Sequence, residues 1–194
     1  LKYNMLEEDL VAFKKENNEE VEDNEIAKDD EYDFDDGNGK VPAHKHEYGN
    51  GWVADTAQVD DSVYVGENAT VFGDAQVFGN AKIYGSVKVC GNAKIYGSAE
   101  VYDSSEVCGD AKVFGNAKVY GSVKVCGDAQ VFGYAKVFGD AQVYGSAKVH
   151  GSAVVYGNAT VFDDVHVCGN AKVFGDAQVF GYAKVYDDAH VCDN

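Results

Sequence analysis

Cysteine and histidine side chains are the groups of this chain best suited to nucleophilic, redox or metal chemistry. The sequence positions of the five cysteines differ by 18, 18, 42 and 24, each a multiple of six. They are Cys90, Cys108, Cys126, Cys168 and Cys192. An odd number without Cys-x-x-Cys spacing is typical of neither a disulfide framework nor a zinc motif. We therefore expect reduced thiols.

The five histidines provide one weak candidate for metal binding. Counting in steps of three hexads puts His150 beside Cys168, with His166 two places earlier, and these ligand types suit zinc. His44 and His46 belong to a polar stretch near the N-terminus. No nucleophile–base pair, phosphate-binding loop or dinucleotide fingerprint is present. The sequence therefore predicts no catalytic residue, no metal, no cofactor and no enzymatic activity.

The spacing of the cysteines reflects a repeat that runs from Val53 to Val191. Every sixth residue there is Val or Ile, through 24 hexads without an insertion. In one such unit Ala75 and Val77 lie on one side of a short strand and Gln76 on the other. Gly followed by Asn, Asp or Ser then ends the strand, because Gly tolerates positive φ. The pattern predicts a coil of short parallel strands around a narrow apolar interior.

These hexads resemble the hexapeptide-repeat, left-handed parallel β-helix family over residues 51–194. The resemblance implies triangular turns of three hexads each, so we expect an all-β fold of about eight turns with the aliphatic residues inside. Tyrosine-rich units and the lead-in Gly-Asn-Gly-Trp-Val at 49–53 are similar to uncharacterised arrays of bacterial and prophage or viral genomes.

The same resemblance provides an enzymatic alternative. Family members include acyltransferases with a catalytic histidine beside loops that leave the coil, and zinc-dependent carbonic anhydrases with ligand histidines five apart. This chain has no loop between hexads and no such histidine set. An acyltransferase-like or zinc-dependent enzyme acting at a trimer interface stays as the second hypothesis.

Turns of three hexads sort the outward residues into three columns. One column is almost entirely aromatic and is followed by Cys192: Tyr84, Tyr102, Tyr120, Phe138, Tyr156 and Phe174. Such rings either stabilise the coil by stacking or form a surface for lateral protein contact or glycan binding. Cys90, Cys108 and Cys126 share another column, where they would leave a notch for a partner. Both interpretations remain open.

Residues 1–50 form a separate acidic segment. Apolar spacing over 3–28 predicts an amphipathic helix that covers the first turn, and the acidic run from Asp29 to Asp36 predicts a solvated linker. An acidic interaction arm is the alternative interpretation of the same segment. Gly37 to Pro42 marks a flexible boundary, and Trp52 is expected to close the core where 51–194 begins. At the other end, Val191 and Cys192 are expected to make end-to-end contacts.

A formal net charge of −17, with lysine as the only strongly basic residue type, argues against nucleic-acid binding. It leaves an acidic decoy of a nucleic-acid-binding protein as a third hypothesis. No signal peptide or membrane span is visible, and a first residue of Leu1 is consistent with a native start that has been removed. The preferred prediction is a non-catalytic structural or binding rod that self-assembles as an oligomer or filament, or that binds a protein or glycan surface.

Overall fold

The computed structural model describes residues 30–193, in which 26 strands and no helix are present. The predicted helix over 3–28 lies outside the described residues. The strands are β1 (Glu31–Asp33), β2 (Lys40–Lys45), β3 (Trp52–Ala54), β4 (Gln58–Val59), β5 (Tyr64–Val65), β6 (Thr70–Val71), β7 (Gln76–Val77), β8 (Lys82–Ile83), β9 (Lys88–Val89), β10 (Lys94–Gly97), β11 (Glu100–Val101), β12 (Glu106–Val107), β13 (Lys112–Gly115), β14 (Lys118–Gly121), β15 (Lys124–Val125), β16 (Gln130–Val131), β17 (Lys136–Gly139), β18 (Gln142–Val143), β19 (Lys148–Val149), β20 (Val154–Val155), β21 (Thr160–Val161), β22 (His166–Val167), β23 (Lys172–Gly175), β24 (Gln178–Val179), β25 (Lys184–Val185) and β26 (His190–Asp193).

Three sheets form the sides of the coil. The first face has ten strands in the order β1-β2-β3-β6-β9-β12-β15-β18-β21-β24. The second face has eight, from β4 through β7 and β10 to β25, and the third has eight, from β5 through β8 and β11 to β26. From β3 onward each strand pairs in parallel with the strand three hexads along, as Val71 with Val89 shows. The predicted parallel β-helix of about eight turns is confirmed.

The interior is built from the two small apolar positions of each hexad. Val77 and Ala75, for example, are completely buried, and their equivalents along the coil belong to the same core cluster. Each fully buried Val contributes roughly 1.5–3 kcal/mol relative to exposure. The side chains before and after each Val point outward, so the outer surface is free to vary while the core repeats.

Glycine at the corners allows consecutive turns to approach closely. Gly97 has φ +74°, and a Cβ built there would lie 3.1 Å from both the backbone N and O of Gly115, one turn on. Where Asp replaces this glycine, as at Asp103 with φ 60°, its Oδ2 accepts a hydrogen bond from the N–H of Gly121 at 2.9 Å. At these corners the left-handed conformation is adopted by Gly or by Asp, and Asp103 and Asp163 each bond to the next turn.

A hairpin precedes the first turn, which differs from the predicted linker. β1 pairs antiparallel with β2, and β2 pairs antiparallel with β3, so both extend the first face. Phe34 and Ala43 become buried against Ala54 and Phe72 on the outside of that face. The prediction of a solvated linker here was wrong, because these apolar side chains bring the acidic segment onto the coil.

Within the part of the chain that the structure describes, no helix is long and apolar enough to cross a membrane.

Candidate functional site

Outward aromatic residues stack along the second and third faces. Phe114 and Phe132 of the second face are 4.8 Å apart between ring centroids and 2° from parallel, and His150 continues the stack at 4.8 Å. On the third face Phe138 stacks on Tyr120 at 4.9 Å and on Tyr156 at 5.0 Å. Because each ring covers the flat faces of its neighbours, the stacks present ring edges to solvent. This geometry favours stabilisation of the coil and contact through ring edges over stacking of a sugar on a ring face.

The predicted column on the third face is interrupted once. Tyr84 stacks on Tyr102 and Phe174 stacks on Tyr156. Tyr102 instead donates a hydrogen bond from its hydroxyl to Glu100 Oε2 at 2.5 Å, and Lys118 Nζ lies 2.6 Å from the same oxygen. These contacts hold the pKa of Glu100 below its usual value, Lys118 having the largest effect and Tyr102 the next.

An open groove of about 500 Å³ lies beside this column. Lys118 and Lys136 pair in register on consecutive turns, and both are exposed. Tyr134 is 67% exposed at the neighbouring corner, where other turns carry Asn, Asp or Ser. Asn116 and Ser152 complete the polar lining. We call this site the Lys118–Lys136 groove. Its two ammonium groups and the tyrosine ring suit a partner with paired carboxylates.

The corner between the first and second faces carries the opposite charge. Asp110 and Asp128 lie there on consecutive turns, both exposed, and Asp74 and Asp164 occupy the same position two turns before and two turns after this pair. Asn92 donates from Nδ2 to Asp110 Oδ1 at 3.0 Å. We call these four carboxylates the acidic edge.

The cysteine column departs from the prediction of reduced thiols. Cys108 and Cys126 are joined by a disulfide, with their Cα atoms 4.8 Å apart. Cys90, Cys168 and Cys192 are free. The prediction failed for the bonded pair because in-register strands bring side chains three hexads apart to the separation a disulfide needs. The notch predicted from these cysteines is therefore partly filled by a covalent bridge.

The weak candidate metal ligands do not assemble. His150 lies flat against Phe132, and its ring centroid is 6.4 Å from that of His166. Burial, with smaller effects of His166 and Lys148, lowers the pKa of His150. Within residues 30–193 no group of three or more His, Cys, Asp or Glu side chains is positioned to hold a metal ion.

Trp52, which was predicted to close the N-terminal end of the core, lies at the outer surface. Val191 and Cys192, which were predicted for the C-terminal end, lie on the last strand. Trp52 is on the outward side of β3, stacked on Tyr32 at 4.6 Å, while its neighbour Val53 enters the core. Val191 packs partly against the core, and Cys192 is exposed on β26. A further cavity of about 340 Å³ lies between the hairpin and the first face, with Phe34 and Phe72 in its lining.

Sequence reasoning missed Tyr134 and the pairing of Lys118 with Lys136 as a site. The available signal was the Gly-Tyr-Ala unit at 133–135, which places an aromatic ring where most hexads have a small polar residue. Lysine precedes the Val or Ile in ten of the 24 hexads, so the sequence alone did not distinguish these two from the rest.

Similarity to known proteins is found in the repeat and in one solved fold. The family described as the YdcK β-solenoid repeat matches residues 153–169, about one turn of the coil. Together with the strand pairing, this match confirms the predicted resemblance to β-helix repeat proteins. A solved structure from Bacillus cereus, provisionally assigned as an acetyltransferase, shares 14% identity and covers 71% of this chain and 70% of that chain, with a TM-score of 0.31. No protein with a curated functional description matches.

The prediction that this chain is not an enzyme is contradicted by that neighbour, because a protein matched over about 70% of its length is provisionally assigned as an acetyltransferase. We withdraw the prediction. At a TM-score of 0.31 and 14% identity the likeness carries no argument about activity. The acyltransferase alternative is therefore no better supported than before.

Proposed function

Because the chain is a β-helix repeat protein, we propose that it is a binding rod that associates laterally with copies of itself. In this contact the Lys118–Lys136 groove of one copy receives the acidic edge of another. The observation that carries the proposal is the presence of like charges on consecutive turns at both places: Lys118 with Lys136, and Asp110 with Asp128.

Like charges directly opposite each other on neighbouring strands destabilise a sheet. Lys118 is partly compensated by Glu100, whereas Lys136 has no ion pair within residues 30–193. A pair of carboxylates from outside would relieve this repulsion, and the open groove leaves room for them. The exposed Tyr134 would supply apolar contact area beside the charges.

A second copy of the chain presents carboxylates with the same axial spacing as the two lysines of the groove. Residues three hexads apart are separated by one turn, about 4.8 Å along the axis, in the groove and in the acidic edge alike. Once Asp110 meets Lys118, Asp128 therefore meets Lys136 without any adjustment of either coil. A partner with a different repeat would align at one position and drift out of register at the next.

The groove and the acidic edge lie on different parts of the triangular cross-section. A contact between them is heterologous, so each copy keeps a free groove or a free edge after the first contact. Association should therefore continue beyond the dimer. High salt should weaken it, because both surfaces are exposed to solvent.

Sedimentation velocity over a concentration series at low and high salt tests the proposal. We expect concentration-dependent oligomers at low salt that dissociate at high salt. The groove variant Lys118→Glu/Lys136→Glu and the edge variant Asp110→Lys/Asp128→Lys should each raise the dissociation constant at least about tenfold. The matched control Lys94→Glu/Lys112→Glu, which reverses an in-register lysine pair on the second face, should associate like the parent chain.

Mixing the two defective variants provides the sharpest check. The intact edge of the groove variant fits the intact groove of the edge variant, and their reversed surfaces are again complementary. The mixture should therefore recover association that neither variant shows alone. A parent chain that stays monomeric at low salt, or a control variant that loses association as strongly as the groove variant, contradicts the proposal.

A further inference from the structure

Three cysteines occupy consecutive turns of the first face, and one pair of them is bonded. The disulfide joins Cys108 to Cys126, and the free thiol of Cys90 lies one turn before Cys108. The backbone register is the same at both steps. Cys90 N–H donates to Val107 O at 3.0 Å, and Cys108 N–H donates to Val125 O at 3.0 Å. Cys90 thus has the same relation to Cys108 as Cys108 has to Cys126.

We propose that Cys90, Cys108 and Cys126 form a redox site in which a single disulfide moves between two positions. The thiolate of Cys90 attacks Cys108 Sγ, and a Cys90–Cys108 bond forms as the Cys108–Cys126 bond breaks. Cys126 leaves as a thiolate and takes up the proton that Cys90 has released to solvent. One disulfide and one thiol are present before and after, so the step requires no oxidant or reductant.

The column supplies the alignment that this exchange requires. The three cysteines directly follow β9, β12 and β15, which pair in register on consecutive turns. Cys90 and Cys126 therefore lie on opposite sides of Cys108 along the axis of the coil. Lys124 stands two residues before Cys126 on the same outward side, and its Nζ lies 3.5 Å from Glu106 Oε2, so its charge is shared with that carboxylate.

The surroundings of Cys90 slow its attack on the Cys108–Cys126 disulfide near neutral pH. Its side chain packs with the cluster that contains Phe34 and Phe72. Burial, followed by the nearby charge of Glu106 and more weakly Asp36, raises the pKa of the Cys90 thiol to about 11, and Lys88 acts in the opposite direction. The attacking thiolate is therefore scarce at pH 7 and becomes about tenfold more abundant per pH unit as the pH rises towards 11.

Exchange moves the free thiol from the hairpin cluster to a position beside Lys124, two turns along the coil. A free Cys126 lies outside the hairpin cluster that contacts Cys90, and a thiol away from such apolar contact is more open to reaction with small disulfides. The substrate class that the site would take is a low-molecular-weight thiol or disulfide.

Pulse alkylation of the full chain with iodoacetamide at pH 7, 8 and 9, followed by acid quenching and peptide mapping without reduction, tests the proposal. We expect label on Cys126 as well as on Cys90, with the rate at Cys126 rising about tenfold per pH unit. Made in a Cys168→Ser/Cys192→Ser background, which removes the other free thiols of the described residues, the Cys90→Ser variant should leave Cys126 unlabelled, because no thiol remains to attack its disulfide. Absence of label on Cys126 at pH 9, or equal labelling of Cys126 in Cys90→Ser, overturns the proposal.

A second variant tests the alternative bond directly. Cys126→Ser treated with glutathione disulfide should form the Cys90–Cys108 disulfide, identified by the cross-linked peptides and the loss of two hydrogens. A product with glutathione retained on Cys108 and a free Cys90 would show that the two sulfurs do not meet, which also overturns the proposal.

Discussion

Replacement of a corner glycine by alanine has two energetic costs. One is a positive φ in a non-glycine residue, and the other is the contact of the added methyl group with the next turn. Gly97→Ala retains a backbone φ of +74°, and its added Cβ lies 3.1 Å from the N and O atoms of Gly115. In Gly181→Ala the φ is +71°, but nothing lies within 4 Å of the added Cβ. The two variants therefore share the conformational cost and differ in the contact between turns.

The expected magnitudes follow from these two effects. A non-glycine residue in the left-handed region costs roughly 1–2 kcal/mol, and this cost applies to both variants. Insertion of an extra methyl group into a packed region costs roughly 1–3 kcal/mol, and this cost applies to Gly97→Ala alone. At about 2–4 °C per kcal/mol for a chain of this size, Gly97→Ala should lower the melting temperature by two to three times as much as Gly181→Ala.

Thermal unfolding followed by circular dichroism, with urea titration as a second measure, compares the two variants. The variant Gly97→Asp gives an additional check, since Asp103 occupies the equivalent corner position one hexad later, with φ 60° and a hydrogen bond to the following turn. We expect Gly97→Asp to be less destabilised than Gly97→Ala. Equal losses in Gly97→Ala and Gly181→Ala would refute the view that the distance between turns selects glycine here.

Two further predictions concern single side chains. The hydroxyl of Thr70 is buried without a hydrogen-bond partner within residues 30–193, so Thr70→Val, which keeps the shape, should raise the free energy of unfolding by about 1 kcal/mol in urea titration; a loss of stability would contradict this. The pKa of His150 lies below its ordinary value of 6.5, so the folded state binds the proton less tightly than the unfolded chain, and stability should fall as the pH drops from 7 towards 5. His150→Phe should reduce that decline in melting temperature, and an identical pH profile in the two proteins would contradict the assignment.

The repeat could be predicted in detail because one rule governs both its core and its corners. A Val or Ile at every sixth position determines which side chains enter the interior, and the following glycine determines where the strand ends. Register followed from the same count, since three hexads separate Val71 from its partner Val89. Little else competes with these two signals between Val53 and Val191.

The hairpin was not predicted because the acidic composition of its residues was interpreted as that of a solvated linker. Tyr32 and Phe34 alternate with acidic residues, and Lys40 and His44 flank the stretch Val41-Pro42-Ala43, a pattern compatible with half-buried strands. Between them Asn38-Gly39 is a common hairpin turn. The density of Asp in this stretch suggested a solvated linker, although only the outward side chains are charged.

Neither the cysteine pairing nor the Lys118–Lys136 groove could be predicted from the spacing of the hexads. Spacing by three hexads places Cys90, Cys108 and Cys126 equivalently, so it cannot select which two are bonded. In the structure the hairpin cluster contacts Cys90 alone and distinguishes it from the other two. The groove likewise depends on Tyr134 at one corner, and its open volume is a property of packing between turns.

The strand pairing also gives the coil an adjustable length. After β3, every strand pairs only with strands three hexads before or after it. Loss or duplication of one unit of three hexads within the array would therefore leave the remaining pairings intact and change the length by about 4.8 Å. Recombination between similar units is a simple genetic route to such changes, so the length of an array of this kind can vary in steps of a single turn.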